Sequence, residues 1–180
     1  MPSKKIEFST PWFEIESEEY DLPHLKGKPI YRMNIPESVL IVALTKNREI
    51  IFVRQFRPAI NEWTLELPAG AIEKGEDKKE AAKRELLEES GYVCEDLEYV
   101  ASARVSVDRI NSRGYVFFGR NVVRSDKFSP EDGTEVKLMT FEELKKFAIS
   151  GKCHYVSGLG CILLTYWKLA PKELAGLFLK

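Results

Sequence analysis

Three things are scarce in this chain of 180 residues, and each scarcity removes a class of protein. Cysteine is the first: Cys94, Cys153 and Cys161 are odd in number, widely spaced and never in a CxxC pair. A disulfide-stapled scaffold, a zinc knuckle and a thiol redox pair are excluded, and three reduced thiols in a reducing compartment are expected. Long apolar runs are the second. The longest, Gly158 to Trp167, is about half of what a membrane-spanning helix requires. The opening residues, Met1-Pro2-Ser3-Lys4-Lys5-Ile6-Glu7, meet charge at once and lack a signal-type apolar core, so a cytoplasmic protein with no membrane partner is expected. Net charge is the third: 27 basic residues against 28 acidic ones leave −1. That balance argues against bulk attraction to nucleic acid or an anionic surface. His24 and His154 are the two histidines, and structural or surface roles are expected of them.

What is present fits an ordinary soluble domain, with 44% hydrophobic and 31% charged residues. The length allows one compact unit that buries a core without staples, with room for a small accessory lobe. Strands are expected at 12–20, 29–35, 38–45, 50–56, 62–67, 97–107, 114–123 and 134–139, with Lys46-Asn47-Arg48-Glu49 as a hairpin turn. Helices are expected at 77–90, 141–149 and 157–169, and a polar loop at 124–133. Strands outnumber helices and the helices come singly, which reads as α+β, a mixed-sheet sandwich with flanking helices rather than a regular βαβ repeat. The balanced charge is also uneven in place. Residues 73–98 hold ten acids and five bases, whereas 101–127 hold six bases and two acids.

The acidic stretch contains the clearest helix. Asp77 can cap it with Glu80 three residues on, and Gly91 stands where a left-handed C-terminal cap is wanted. Within it, Glu85, Glu88 and Glu89 lie at i, i+3 and i+4, so three carboxylates share one face. Like charges repel at that spacing, and the negative pole of the helix dipole makes the clustering worse. A divalent cation reverses the argument, because hard oxygen ligands on one rigid face suit Mg²⁺ or Mn²⁺, with substrate phosphates completing the shell. A solvated acidic face is the other reading of these three residues taken alone.

The residues upstream decide between them. Gly70 is followed after five residues by Glu76, and after seven more by Arg84-Glu85-Leu86-Leu87-Glu88-Glu89-Ser90-Gly91-Tyr92. This register resembles the Nudix box, G-x5-E-x7-R-E-U-x-E-E-x-G-U, at every fixed position; Tyr92 departs from the usual aliphatic residue. The resemblance implies a Nudix fold, a mixed β-sheet sandwiched by helices (α/β/α), and hydrolysis of a diphosphate linked to another moiety. It implies Glu85 and Glu89 as principal Mg²⁺ ligands, Glu88 as a metal or water-mediated ligand, and a backbone carbonyl, that of Ala69, at the metal. Arg84 would hold the glutamates in place, and Glu76 would brace the loop.

Similarity extends to the segment before the box. Val53-Arg54-Gln55-Phe56-Arg57 and Leu65-Glu66-Leu67-Pro68-Ala69-Gly70 resemble ADP-ribose and nucleoside-diphosphate-sugar pyrophosphatases of the same family. Weaker likeness runs over residues 12–170. This branch implies that Arg57 contacts the diphosphate, with Arg54, expected on the same strand face, as a second candidate. It implies an N-terminal β-lobe, residues 1–36, used for homodimerisation, ahead of a hydrolase domain at 37–180. Trp12 is the best match for an aromatic that stacks on the base, followed by Tyr31 and Trp63. Glu131, in the loop before Glu135, is the first choice for catalytic base, with Asp132 and Glu135 behind it. Ser106-Val107-Asp108-Arg109-Ile110-Asn111 lacks the proline of ADP-ribose-specific members, so another nucleoside diphosphate sugar becomes the alternative substrate. Arg109 and Arg113 are candidates for its sugar or phosphates. Two other readings stay open: a Nudix enzyme acting on dinucleotides, nucleoside triphosphates or capped RNA, and an inactive Nudix module that senses a nucleotide sugar.

Overall fold

Alternating charged and apolar residues build the N-terminal part. The computed structural model describes residues 4–104, 106–126, 128, 133–153, 155–169 and 171–177. β1 (Lys5–Ser9), β2 (Glu14–Glu18) and β3 (Ile30–Asn34) form an antiparallel meander. Arg32 on β3 reaches across to Glu16 at 2.7 Å and Glu18 at 2.8 Å. β1 is not among the expected strands: it is short, and its apolar residues Ile6 and Phe8 are exposed rather than packed in a core.

A strand whose successive residues are all apolar must be covered on both faces, since neighbouring side chains point opposite ways. β4 (Ser38–Thr45) is such a strand and is buried from Val39 onward. The 46–49 turn leads to β5 (Ile50–Arg57), with Arg48 at a φ of 64°. β6 (Glu62–Glu66) pairs with β5, and β7 (Ala69–Ala71) pairs with the first half of β4. Then come α1 (Lys78–Ser90), β8 (Tyr92–Val93), β9 (Glu98–Ala103), β10 (Ile110–Asn111) and β11 (Gly114–Arg124). β12 (Thr134–Met139), α2 (Phe141–Ile149), α3 (Val156–Leu169) and a short 3-10 turn at Lys172–Leu177 follow.

β11 lies parallel to β4, while β12 joins β5, and β8 and β9 join β11, all antiparallel. The sheet is therefore mixed. Val39, Ile41 and Ala43 enter one core with Ala81, Ala82 and Leu86 of α1. Leu40, Val42 and Leu44 enter another with Leu144 of α2, Ile162 of α3 and Leu174. This is the expected α/β/α sandwich, read directly from the two-residue period of β4.

The stretch from 97 to 111 also differs from expectation. The strand expected over 97–107 ends at Ala103, although the apolar–polar alternation runs on through Val107. The chain then leaves the main sheet, and β10 adds a parallel strand to β3 of the lobe. Met33 N–H donates to the Arg109 carbonyl at 2.7 Å, and Ser112 Oγ donates to the Pro36 carbonyl at 2.8 Å. Among the described residues no helix is long and apolar enough to cross a membrane.

Candidate active site

α1 is fixed at both ends by local chemistry. Asp77 Oδ1 accepts from the amides of Lys79 at 2.8 Å and Glu80 at 3.3 Å. The Glu80 carboxylate pairs with Lys83 at 2.9 Å. Gly91, at a φ of 72°, turns its N–H back to the Leu87 carbonyl at 2.8 Å. Ala81, Ala82 and Leu86 bury one face under β4, which turns the glutamates of the second half toward β7. There the backbone comes very close. A Cβ on Gly70 would fall 2.1 Å from the Glu85 carboxyl carbon, so only glycine leaves that carboxylate its place.

Arg84 organises the acids around it. Its Nε and Nη2 donate to the two oxygens of Glu76 at 2.8 and 2.9 Å. Nη1 donates to Glu85 at 2.7 Å and Glu88 at 3.0 Å, and Nη2 also reaches the Ala71 carbonyl at 3.0 Å. A planar fork with fixed donors can do this; a flexible ammonium cannot. The Arg84 guanidinium, with the Glu73 amide donating to Glu76 as well, holds the Glu76 carboxyl down at about 2. Arg84 and Glu76 thus occupy the bracing positions expected of them.

Glu89 and Glu85 have the opposite problem. Glu85 is only 9% exposed, and burial pushes its carboxyl up against the pull of Arg84. Burial pushes Glu89 further, to about 7, with Glu85 adding repulsion and the Ala69 amide opposing it. That amide donates to Glu89 Oε2 at 2.8 Å. Two neighbouring, desolvated carboxylates, of which only Glu85 has an arginine in direct contact, are hard oxygen donors that suit a divalent cation. Glu88 is the exposed member, its side chain 52% accessible. Among the described residues no three acidic, histidine or cysteine side chains converge into a closed cage. Such a donor set fits a cation whose shell is completed by phosphate and water.

Beside this pair stands a residue that the sequence reading did not single out. Glu66, 8% exposed, accepts from Arg57 Nε at 2.8 Å and Nη2 at 2.6 Å, and from Thr64 Oγ1 at 2.5 Å. Burial works to raise its pKa, but Arg57 and Thr64 together hold it below the usual carboxylate range. Arg57 in turn feels the charge of Glu89 and lies near Tyr155, whose phenol burial pushes up. With one edge of its guanidinium on Glu66, Arg57 has no partner for Nη1 among the described residues. The only signal in the sequence was the strand pairing, which sets a glutamate beside an arginine.

The other candidates separate from this cluster. Arg54 was expected on the face of Arg57, but three residues is an odd interval in a strand and the two point apart. Arg54 stacks on Trp63, 4.2 Å from the ring centroid, and pairs with Glu135 at 3.2 Å. Val136 packs into the core under α1, so Glu135 beside it faces away from α1. Trp12, 75% exposed, and Tyr31 both stand on the surface of the N-terminal lobe. Arg109 is exposed in a cleft between that lobe and the 107–111 segment. Glu131 and Asp132 lie outside the described residues, as does His154.

Comparison with known proteins follows the same lines. A family model described as NUDIX domain matches residues 35–155. The chain is 30% identical over 151 residues to an ADP-ribose pyrophosphatase of Bacillus subtilis (strain 168), covering 82% of each. It is 34% identical over 99 residues to a methanol dehydrogenase activator of Bacillus methanolicus, spanning 55% of this chain and about half, 54%, of that relative. A crystal structure of an ADP compounds hydrolase superposes with a TM-score of 0.79 and 19% identity, covering 94% of both chains, and shares the fold.

Proposed function

The chain belongs to the Nudix family, and we propose that it hydrolyses the pyrophosphate bond of a nucleoside diphosphate sugar, ADP-ribose or a relative of it, with Mg²⁺. The products would be a nucleoside monophosphate and a sugar phosphate. The observation that carries this reading is the pair Glu85 and Glu89, adjacent and desolvated, next to an arginine whose Nη1 has no partner among the described residues. The Bacillus subtilis relative acts on ADP-ribose, which supports the substrate class.

In this reading Glu85 and Glu89, with Glu88 and the Ala69 carbonyl, hold the metal, and Arg84 keeps the carboxylates in position. Bound Mg²⁺ would neutralise the diphosphate and lower the pKa of an attacking water. Arg57 takes the diphosphate oxygens through its outward edge, a geometry guanidinium is suited to. Glu66 keeps that guanidinium from collapsing onto Glu89. The proton of the attacking water goes to a carboxylate, and Glu131 is our assignment for it. Trp12 and Tyr31 stack on the base, and the N-terminal lobe pairs two copies of the chain.

The test is direct. Purified protein with Mg²⁺, and separately Mn²⁺, is offered a panel of nucleotide sugars including ADP-ribose, and products are resolved by chromatography. Turnover that needs the metal and falls by at least about 100-fold in Glu89→Gln supports the reading. Nucleotide-sugar binding without any product marks a sensing module instead. Light scattering on the same sample reads the oligomeric state.

A further inference from the structure

A cleft of about 500 Å³ opens between the first turns of α3 and the β4–β11–β9 part of the sheet. Leu40, Val116 and Leu164 give it apolar walls, and Ser157 and Arg104 are its polar groups. Its floor depends on Gly114: a Cβ there would come within 2.8 Å of Leu40 Cδ1.

The cleft lies on the α2/α3 face of the sheet, and two of its lining residues neighbour residues that touch the glutamate site. Leu40 stands opposite Ala69 in the β4–β7 register, and the Ala69 amide is the one that holds Glu89. Ser157 lies two residues beyond Tyr155, which faces Arg57 and Glu66. A substituent of a diphosphate held at Arg57 would enter this space if it ran past Tyr155 toward Ser157.

Arg104 is the unusual wall. It is exposed where β9 ends, and its Nη1 donates to neutral acceptors, the Ser112 carbonyl at 3.0 Å and Asn111 Oδ1 at 3.3 Å. Those two bonds orient the guanidinium without neutralising it. Among the described residues no carboxylate forms an ion pair with Arg104, in contrast to Arg57 and Arg84 in the glutamate site. A fixed, uncompensated guanidinium on the rim of an otherwise apolar cleft favours an anion over a hydroxyl, because the anion adds attraction between opposite charges to the hydrogen bond both can accept.

We propose that Arg104 is a specificity-determining residue, and that the group seated in this cleft carries a negative charge of its own, a carboxylate or a further phosphate on the sugar. The preferred substrate is then a nucleoside diphosphate linked to an acidic sugar. The proposal rests on the hydrolase reading for its substrate but not for its test, which reads binding without turnover.

Matched probes differing only in that charge are UDP-glucose against UDP-glucuronate, and ADP-ribose against ADP-ribose 1″-phosphate. Affinities are measured by calorimetry in EDTA for the wild type, Arg104→Gln and Arg104→Lys, with circular dichroism as the check on folding. In at least one pair the acidic member binds the wild type at least 10-fold more tightly. Arg104→Gln brings that ratio to near one through the acidic member alone, and Arg104→Lys restores part of it. Absence of any charge preference in the wild type, or a preference that survives Arg104→Gln, overturns the proposal. Parallel assays with Mg²⁺ separate the two readings: charge-selective binding with no hydrolysis defeats the enzyme and leaves Arg104 standing, while hydrolysis indifferent to sugar charge does the reverse.

Discussion

Arg84 and Glu76 form a two-bond fork at 2.8 and 2.9 Å that ties α1 to the loop before it. The same guanidinium holds Glu85 and Glu88, so loosening the fork moves the acids as a group. Arg84→Lys keeps the charge and loses the geometry. We expect kcat/KM to fall on the order of 10- to 100-fold with an unchanged circular dichroism spectrum, the usual range when a partner of metal ligands is removed.

The fork also sets an acid limb. Glu76 is held at about 2 in the folded chain, below the 4.5 of the free group, so its contribution is present above pH 4.5 and disappears as pH falls toward 2. Thermal unfolding followed between pH 5 and 2 should drop more steeply for the wild type than for Glu76→Gln, whose partner no longer titrates. Equal slopes would mean that the fork contributes nothing in solution.

Glu89 has the opposite sign. Its carboxyl, raised to about 7, costs the metal-free fold stability increasingly from pH 4.5 upward, and fully above 7. In EDTA at pH 8, Glu89→Gln should therefore melt higher than the wild type, by about 3 °C for each kcal/mol relieved in a chain of this size. Added Mg²⁺ should raise the wild type and leave the variant unmoved.

Arg57 and Arg54 give a matched contrast on one strand. Arg57→Ala removes the group beside Glu89 and should lower kcat/KM by roughly 100-fold or more. Arg54→Ala, on the opposite sheet face against Trp63, should leave it within about 2-fold, since surface changes away from a site rarely reach further. Steady-state kinetics on the best substrate decides the matter.

Gly70→Ala tests the close approach of β7 to α1. With Glu85 atoms about 2.1 Å from the new Cβ, the carboxylate has to move. We expect a folded protein that has lost most of its Mg²⁺-dependent thermal shift.

Much of this was legible before any coordinates. β4 reads as buried on both faces because Val39 to Leu44 are uniformly apolar, and the caps at Asp77 and Gly91 are chemical signals that act locally. The glutamate helix was legible for the same reason: spacing along one helix is a local property. Glu66 was not, because its importance comes from Arg57 on the neighbouring strand. Arg104 carries no mark in the sequence that Arg109 and Arg113 lack. The strand expected through 107 ends at Ala103, and only the folded chain sets Arg104 beside α3. β1 and β10 are too short for a hydrophobic pattern to mark them.

Ser38 meets Gly114, and Leu44 meets Arg120, along the parallel seam of the main sheet. Arg57, Glu66 and the three glutamates of α1 all lie in the loop this seam closes. Closing so long a loop is slow, and nothing repays its entropy until both strands are present. A nascent chain that has emerged from the ribosome as far as Gly91 has all three glutamates but lacks the strand that completes the sheet beneath them. Assembly of β11 is thus the step that turns a stretch of dispersed acidity into a binding site, and mutations in the seam should delay activity in refolding experiments before they lower it.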